Sequence, residues 1–425
     1  RCLVGSEMCI RDSYGADKVV GYDQYFGGSQ DNGTFLSPRN QIADETTTWS
    51  FEIGGDGFEA IAHHTDPNKL IGGSQGNNFY RSTNGGASWN YAQYGLEGSD
   101  PFITRLSSPF QDPDVLYAVT SFGVMKSNDF GQSWQAKQVE GNWSSSFWSG
   151  TDVEVSLANP RYVWAGSSMS TAGNIFLSKD WGETYESVPN FSNLGRTSGI
   201  YSHPTEDSTA YVLFGMPGAA KVLQTKDLGE TWEDLSGFTN STDGKSLNGF
   251  PDVPVYSFLV MPHNKDIMWA GTEVGLIEST DGGTSWHLVE SNLPYVTIWD
   301  LKLKDEGQIV IATHGRGVWT ATIDDLKSYE PKPAILPPFI LSAYQLDSED
   351  SYVISTNINI KSSYDSLVIK ANNLQRDVFQ NVDKSDSTNF VFEVDDKGDY
   401  TIQAFGYKDG LELSLIHISE PTRHR

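Results

Sequence analysis

The chain has 425 residues and is strongly acidic, with 55 Asp and Glu against 29 Lys and Arg and a formal net charge of −26. That balance argues against nucleic acid or an anionic membrane surface as a partner, and no run approaches the roughly 18 consecutive apolar residues of a membrane-spanning helix. The 12 Trp, 19 Tyr, 21 Phe and 41 Gly suit many short strands joined by tight turns. The plain reading of the charge is a solvated acidic surface; the alternative is life in salty or calcium-rich surroundings.

At the chain start, Leu3 to Asp12 reads LVGSEMCIRD, and near the end Leu413 to Arg423 reads LSLIHISEPTR. Both resemble translated sequencing adapter, and one DNA segment and its reverse complement can encode the pair. Residues 1–13 and 413–425 are therefore expected to be artefact, with the native part running from about Tyr14 to Glu412 and cut at both ends. Cys2 and Cys9 both fall in the first tail, so no disulfide, thiolate metal site or cysteine nucleophile is expected between the tails.

From Tyr25 onward, seven stretches share one pattern, an apolar strand with small residues, a short turn and a second strand. They read YFGGSQDNGTFLS (25–37), LIGGSQGNNFYRS (70–82), LYAVTSFGVMKS (116–127), VWAGSSMSTAGNIFLS (163–178), AYVLFGMPGAAKVLQT (210–225), MWAGTEVGLIES (268–279) and IVIATHGRGVWTAT (309–322). Ahead of them lie polar turns such as DPNK (66–69), DPDV (112–115), NPRY (159–162) and HNKD (263–266), and before those the apolar runs FEAIAHH, FITRLSS, VEVSLA, SGIYSH, YSFLVM and IWDLKL. Five hairpins run into an octad: STNGGASW (82–89), SNDFGQSW (127–134), SKDWGETY (178–185), TKDLGETW (225–232) and STDGGTSW (279–286), with starts 45 to 54 residues apart. In each, Gly supplies the positive φ of a tight turn. The Asp carboxylate and the Ser or Thr hydroxyl accept from backbone N–H groups of their own turn, and the closing aromatic starts the next strand.

The repeating unit is therefore strand A, polar turn, strand B, short turn, strand C, octad, strand D. Four antiparallel strands at this period describe a propeller blade, and seven hairpins imply about seven blades. The A–B turns and octads share one face; the B–C turns and the longer, variable D–A connections, such as 135–151 and 233–254, share the other. Function is expected on the latter face, where long loops sit on a rigid scaffold. After residue 327 a Pro-rich linker (328–340, SYEPKPAILPP at its start) leads to alternating runs TNINIK (356–361), SLVIKA (366–371), FVFEV (390–394) and DYTIQAF (399–405). The fold class expected is all-β: a propeller of about seven four-stranded blades over 14–327, then a truncated immunoglobulin-like β-sandwich over 341–412.

The octads resemble Asp boxes, the signature of BNR-repeat β-propellers found in sialidases, sortilin-type receptors and xyloglucanase-like glycosidases. Asn84 stands where the box has Asp, and Tyr185 where it has Trp. The resemblance implies that Asn84, Asp129, Asp180, Asp227 and Asp281, with Trp89, Trp134, Tyr185, Trp232 and Trp286, are structural staples rather than a site. GGSQDNGT (27–34), GGDGFEAIAHHTDPNK (54–69) and THGRGVW (313–319) further resemble secreted BNR/sortilin-like glycosyl-hydrolase-type proteins of marine Bacteroidota-type bacteria. THGRGVW then marks the last blade, and GDYTIQAFGYKDG resembles late strands of immunoglobulin-like surface modules. An extracellular or cell-surface location follows from the resemblance.

The best functional stretch is 142–152, where Trp143, Phe147 and Trp148 crowd a loop that ends on Asp152. Sugar rings stack C–H faces on Trp, and a carboxylate binds hydroxyls; the plainer reading is a loop packed on a neighbouring blade. Trp299, Arg196, His314 and Arg316 complete the expected ligand-binding set. Gln30-Asp31-Asn32-Gly33-Thr34 is either an Asn-Gly hairpin turn or a ligand contact. Hydrolysis of a glycoside needs two carboxylates flanking the bond; the candidates, weak because acids are so common here, are Asp56, Asp152, Glu154 and Asp300, with Glu59 beside them. Arg105, Arg196, Arg316 and Tyr256 suit a sialidase-like centre, but the sialidase motif ahead of the first box is missing, as is the xyloglucanase-like signature. His63 and His64 face opposite ways and make a poor chelate. No metal or other cofactor is expected, although the acidic turn 347–350 has oxygen ligands for calcium. Binding of a glycan or protein ligand is thus favoured, with a glycoside hydrolase or a structural spacer of a large adhesin as rivals.

Overall fold

The computed structural model describes residues 13–418 and 423–424, apart from 45, 99–100, 140, 142, 170–172, 193, 305–306, 348–351, 373, 385–388 and 395–399. Both cysteines, Asn142 and most of the acidic turn 347–350 lie outside the described residues. The chain divides into two compact units, 1–332 and 333–425.

The first unit holds seven antiparallel sheets in chain order, all-β with no α-helix among the described residues. Their innermost strands, A, are Ser13–Lys18, Gly57–Ala62, Leu106–Ser107, Asp152–Val155, Thr197–Ser202, Val255–Val260 and Ile298–Leu303. Each touches the next, and the last touches the first, so the ring is closed around a central channel. Among the described residues sheets 1 to 6 have four strands and sheet 7 has three, A with Gln308–Thr313 and Gly317–Thr322. The run FITRLSS yields only a two-residue strand A in sheet 3. The D strands of sheets 3 and 4 also pair in parallel at Gln138–Thr184 and Val139–Tyr185, which joins the two sheets edge to edge.

The core lies between neighbouring sheets rather than in one centre. Between sheets 2 and 3, Phe79, Phe130 and Trp134 are buried with Ile71 and Leu116. Each such large side chain contributes about 1.5–3 kcal/mol by leaving water. Strand B of sheet 1 runs so close to strand A of sheet 2 that a Cβ at Gly28 would collide with the Phe58 backbone, which explains the small residues of the B strands.

The five octads adopt one hydrogen-bonded form. In the copy at 127–134, the Ser127 hydroxyl accepts from the Gly131 N–H at 2.8 Å and donates to Asp129 Oδ1 at 2.8 Å. Asp129 in turn accepts from the Ser133 N–H at 2.8 Å and the Ser133 hydroxyl at 2.6 Å. Two successive residues take positive φ, the glycine and the one before it, and in three copies that earlier residue is Phe130, Trp181 or Leu228. The strain is held because its N–H donates to the A–B turn of the same sheet: Phe130 to Asp114 O, Trp181 to Arg161 O, Leu228 to Ser208 O. The octads and A–B turns are thereby pinned together, on the face opposite the B–C turns. The closing aromatic reaches the preceding sheet: Trp134 Nε1 donates to Ala92 O and Trp286 Nε1 to Leu235 O.

Beyond sheet 7 the chain crosses the A–B face. The 3-10 turn Asp324–Leu326 buries Leu326. The Tyr329 hydroxyl donates to Pro204 O, Lys332 Nζ lies 3.0 Å from Asp207 Oδ1, and Gln111 Nε2 donates to Lys332 O. Tyr329 and Pro331 bound a cavity of about 280 Å³ with Val20, His64, Phe110 and Lys304, so this strap covers the A–B end of the channel. The start of the proline-rich segment is thus tied down at 329–332. The second unit forms two four-stranded sheets. Strands 352–359, 364–371, 389–394 and 402–408 overlap the alternating runs, and Phe339–Asp347, Leu374–Val382, Leu411–Ile418 and Arg423–His424 join them. The expected boundary at 412/413 falls inside the last of these.

Candidate functional site

The B–C end of the channel is lined by an aromatic track whose origin is a repeated bulge. In sheets 1, 2, 5, 6 and 7 the A–B pairing slips by an extra residue near the start of strand A: between Ser13 and Gly15, Gly57 and Ala60, Thr197 and Gly199, Val255 and Ser257, and Ile298 and Asp300. A bulge re-aims the side chain of its extra residue. The residues so turned are Tyr14, Phe58 with Glu59, Ser198, Tyr256 and Trp299. Tyr14 stacks on Trp299 at 4.6 Å and 16°, and meets Phe58 edge-on at 5.2 Å. Phe58 meets Phe102 at 5.4 Å, and Phe102 meets Phe147 at 5.4 Å and Trp148 at 5.3 Å. On the other side Trp299 packs on Tyr256 at 4.3 Å and approaches His314 at 6.2 Å. The Phe102 N–H donates to Phe147 O, which ties the 142–152 loop to this track. Phe58 is buried, whereas Trp148 is 77% exposed.

Below the track the channel is polar. Strand A is an edge strand in every sheet, so its outward N–H groups need partners. The neighbouring blade supplies them. Asp17 Oδ2 accepts from Ala62 N, Asp152 Oδ2 from Ile200 N, Glu154 Oε1 from Ser202 N, and Ser107 Oγ from Val155 N. Cations complete the ring: Lys304 Nζ lies 2.7 Å from Asp17 Oδ1, Lys302 Nζ 2.5 Å from Glu59 Oε1 and Arg105 Nη1 3.7 Å from Glu59 Oε2. They surround a cavity of about 140 Å³.

Charge is costly here. Burial pushes the Asp152 carboxyl up to about 6, although Arg105 and two backbone N–H groups pull the other way. Burial lifts Glu154 to about 8 against the opposing pull of Ser202, and lifts Asp300 to about 6 despite Lys302. Asp152 and Glu154 keep some surface, which faces the channel cavity. Burial also opposes the charge of Asp17, yet Lys304 and Lys302 hold its carboxyl below the usual range. Burial works against the Arg105 and Lys302 cations too, and the surrounding carboxylates more than offset it, so both stay charged. Desolvation and Lys304 drive His64 down to about 3.

The structure thus separates the expected residues. Asp152, Glu154, Asp300, Glu59 and Arg105 line the channel cavity. Asp56 does not: it accepts from the Asp31 N–H at the first B–C turn, and its own N–H donates to Gln75. Trp143 parts from Trp148, because it packs on Phe176 at 5.3 Å and donates Nε1 to Thr120 O, between sheets 3 and 4. Trp148, Trp299 and His314 sit on or beside the track. Arg196 is exposed, held at φ +42, and its charge is felt at Tyr256; Arg316 is exposed in the last B–C turn. Arg105 is engaged with Glu59 and Asp152 inside the channel, so the three arginines have different surroundings. His63 points away from His64, to Asp114 at 3.3 Å. Among the described residues no cluster of three metal-ligating side chains occurs. Tyr14, Phe58 and Phe102 were missed by sequence reasoning. The usable signal was an aromatic at the second residue of strand A in four sheets.

Solved structures supply the outside comparison. A structure described as YCF48 bound to D1 peptide is similar over 74% of this chain and 95% of its own, with TM-score 0.52 and 14% identity. A GH74 enzyme of Niastella koreensis is similar over 97% of this chain and 67% of its own, with TM-score 0.53 and 13% identity. The GH74 xyloglucanase of Xanthomonas campestris matches over 100% of this chain and 70% of its own, with TM-score 0.54 and 14% identity. No family model matches the chain, and no curated protein matches it. At such identities the likeness speaks for the fold, and together with the closed ring of sheets it makes the first unit a β-propeller.

Proposed function

We propose that this chain binds a glycan at the B–C end of its channel, with the aromatic track from Trp148 to Trp299 as the platform. The observation that carries this reading is the track itself. Neighbouring blades each turn a ring toward the same mouth, and Trp148 is left 77% exposed at its end. Exposed aromatics on a rigid scaffold offer flat apolar area at low entropic cost, which suits the C–H faces of sugars. The strap over the A–B end favours access from the B–C end alone. Residues 14–327 are then the binding propeller and 341–412 an immunoglobulin-like module of a secreted or surface protein.

Binding is preferred to hydrolysis because the channel acids are occupied. Asp152 and Glu154 accept backbone N–H groups, and Asp17 and Glu59 are ion-paired. The rival catalytic reading rests on Asp300, whose raised carboxyl is the remaining candidate for a general acid. A panel of oligosaccharides, read for both binding and released sugar on the full chain and on Trp148→Ala, tests both. Binding without release, weakened in the variant, supports the proposal. Released sugar moves the reading to a hydrolase, and an empty panel moves it to a protein ligand or a spacer.

A further inference from the structure

The acids and cations of the channel do not balance. Five carboxyl groups line the cavity, Asp17, Glu59, Asp152, Glu154 and Asp300, against three cations, Arg105, Lys302 and Lys304. The cations are spoken for: Lys304 by Asp17, Lys302 by Glu59 and by Ala60 O at 3.0 Å, and Arg105 by Glu59 and Asp152. Glu154 rests on the N–H and hydroxyl of Ser202. Asp300 has only a share of one cation, Lys302, which it divides with Glu59. It is 7% exposed, its Oδ2 has no hydrogen-bond partner among the described residues, and the nearest cation, Lys302 Nζ, stands 3.5 Å away and serves Glu59 first. A buried carboxylate oxygen with a shared cation and no hydrogen bond is under-satisfied, and such a group facing a cavity points to a ligand that brings a donor.

Position supplies the second argument. Asp300 follows Trp299 directly, on the bulge that turns the indole to the aromatic track. The under-satisfied acceptor therefore sits one residue below the platform of Trp299, Tyr14 and Tyr256. Aromatic faces also attract ammonium groups, and the chain's −26 charge draws cations from a distance.

Resting on the glycan-binding reading, we propose that the ligand is an amino sugar polymer, whose free ammonium group pairs with Asp300 while its rings stack on the track. The shared chemistry with a lysine side chain is settled by experiment. Binding of chito-oligosaccharides to the full chain is measured by calorimetry in the deacetylated, amine-bearing form and in the N-acetylated form, at pH 6 and low salt. A desolvated ion pair makes the amine form bind roughly tenfold or more tightly, and Asp300→Asn removes most of this preference, leaving only what the net charge of the chain contributes at low salt. Equal affinity for the two forms in the wild-type chain overturns the inference while leaving glycan binding standing, and it does so whether or not the variant folds. A preference that persists undiminished in Asp300→Asn overturns it as well. Binding of a lysine-rich peptide with no binding of either sugar overturns both this inference and the glycan reading beneath it.

Discussion

Tyr14 and Trp299 stack 4.6 Å apart at an interplanar angle of 16°, one from the first sheet and one from the last. The contact closes the ring and builds the mouth of the channel at once. Among the described residues sheet 7 has three strands, and packing of this kind joins them to strand A of sheet 1.

Trp299→Ala is therefore expected to weaken glycan binding and to destabilise the fold, by about 2–4 kcal/mol given the three rings it touches. Trp148→Ala, at the exposed end, should change stability by less than about 0.5 kcal/mol while costing about 1–2 kcal/mol of binding. Urea melts alongside calorimetric titration separate the two. Equal loss of stability in both variants would show that Trp148 is a packing residue.

Ser127→Ala tests the octads. It removes the acceptor for the buried Gly131 N–H, which should cost about 1–3 kcal/mol with ligand binding at the opposite face unaltered. A melt superimposable on wild type would show that the turn does not need its hydroxyl.

The Asp17–Lys304 pair is buried on both sides, at 2% and 5% side-chain exposure. Lys304→Met leaves Asp17 charged without its partner and should cost about 3–5 kcal/mol. Adding Asp17→Asn, whose amide oxygen still accepts from Ala62 N, should recover part of that loss. A double variant no better than the single one would mean that the packing of the lysine, not its charge, matters.

Stability should fall as pH rises past neutrality. Glu154, near 8 in the fold against about 4.3 unfolded, holds more protons in the native state between those values, so stability drops as pH climbs through them. Asp152 and Asp300, near 6, act likewise at lower pH. His64 and His203, pushed by burial to about 3 and about 4, act the other way. Below about 6.5 the unfolded chain takes up their protons first, so stability is lost as pH falls from there. The opposing groups offset one another in mild acid, and above about pH 6.5 Glu154 dominates. Urea midpoints should decline from about pH 6.5 to 9, and Glu154→Gln, which keeps the acceptor for Ser202, should flatten the decline. An unchanged slope in the variant would refute this assignment.

Much of the propeller was legible in the chain because its determinants are local. The octads declare their hairpins through Gly, Asp and Ser at fixed spacing, since these residues satisfy their own turn. The alternation of polar turns and apolar runs places strands A, B and C, and from their order the two faces follow. The charge balance and the lack of a long apolar run are likewise written in the composition. What only the tertiary structure decided is which residues meet at the channel. A bulge inserts one residue and turns it through the pleat, so Tyr14, Tyr256 and Trp299 leave the alternation that would have announced them. Closing the ring then brings Tyr14 against Trp299 across almost the whole length of the first unit. The ring also sets edge N–H groups of one blade before carboxylates of the blade that precedes it. That is why Asp152 and Glu154, anonymous among 55 acids, become backbone partners, while Asp300 shares Lys302 with Glu59 and has an oxygen without a hydrogen bond.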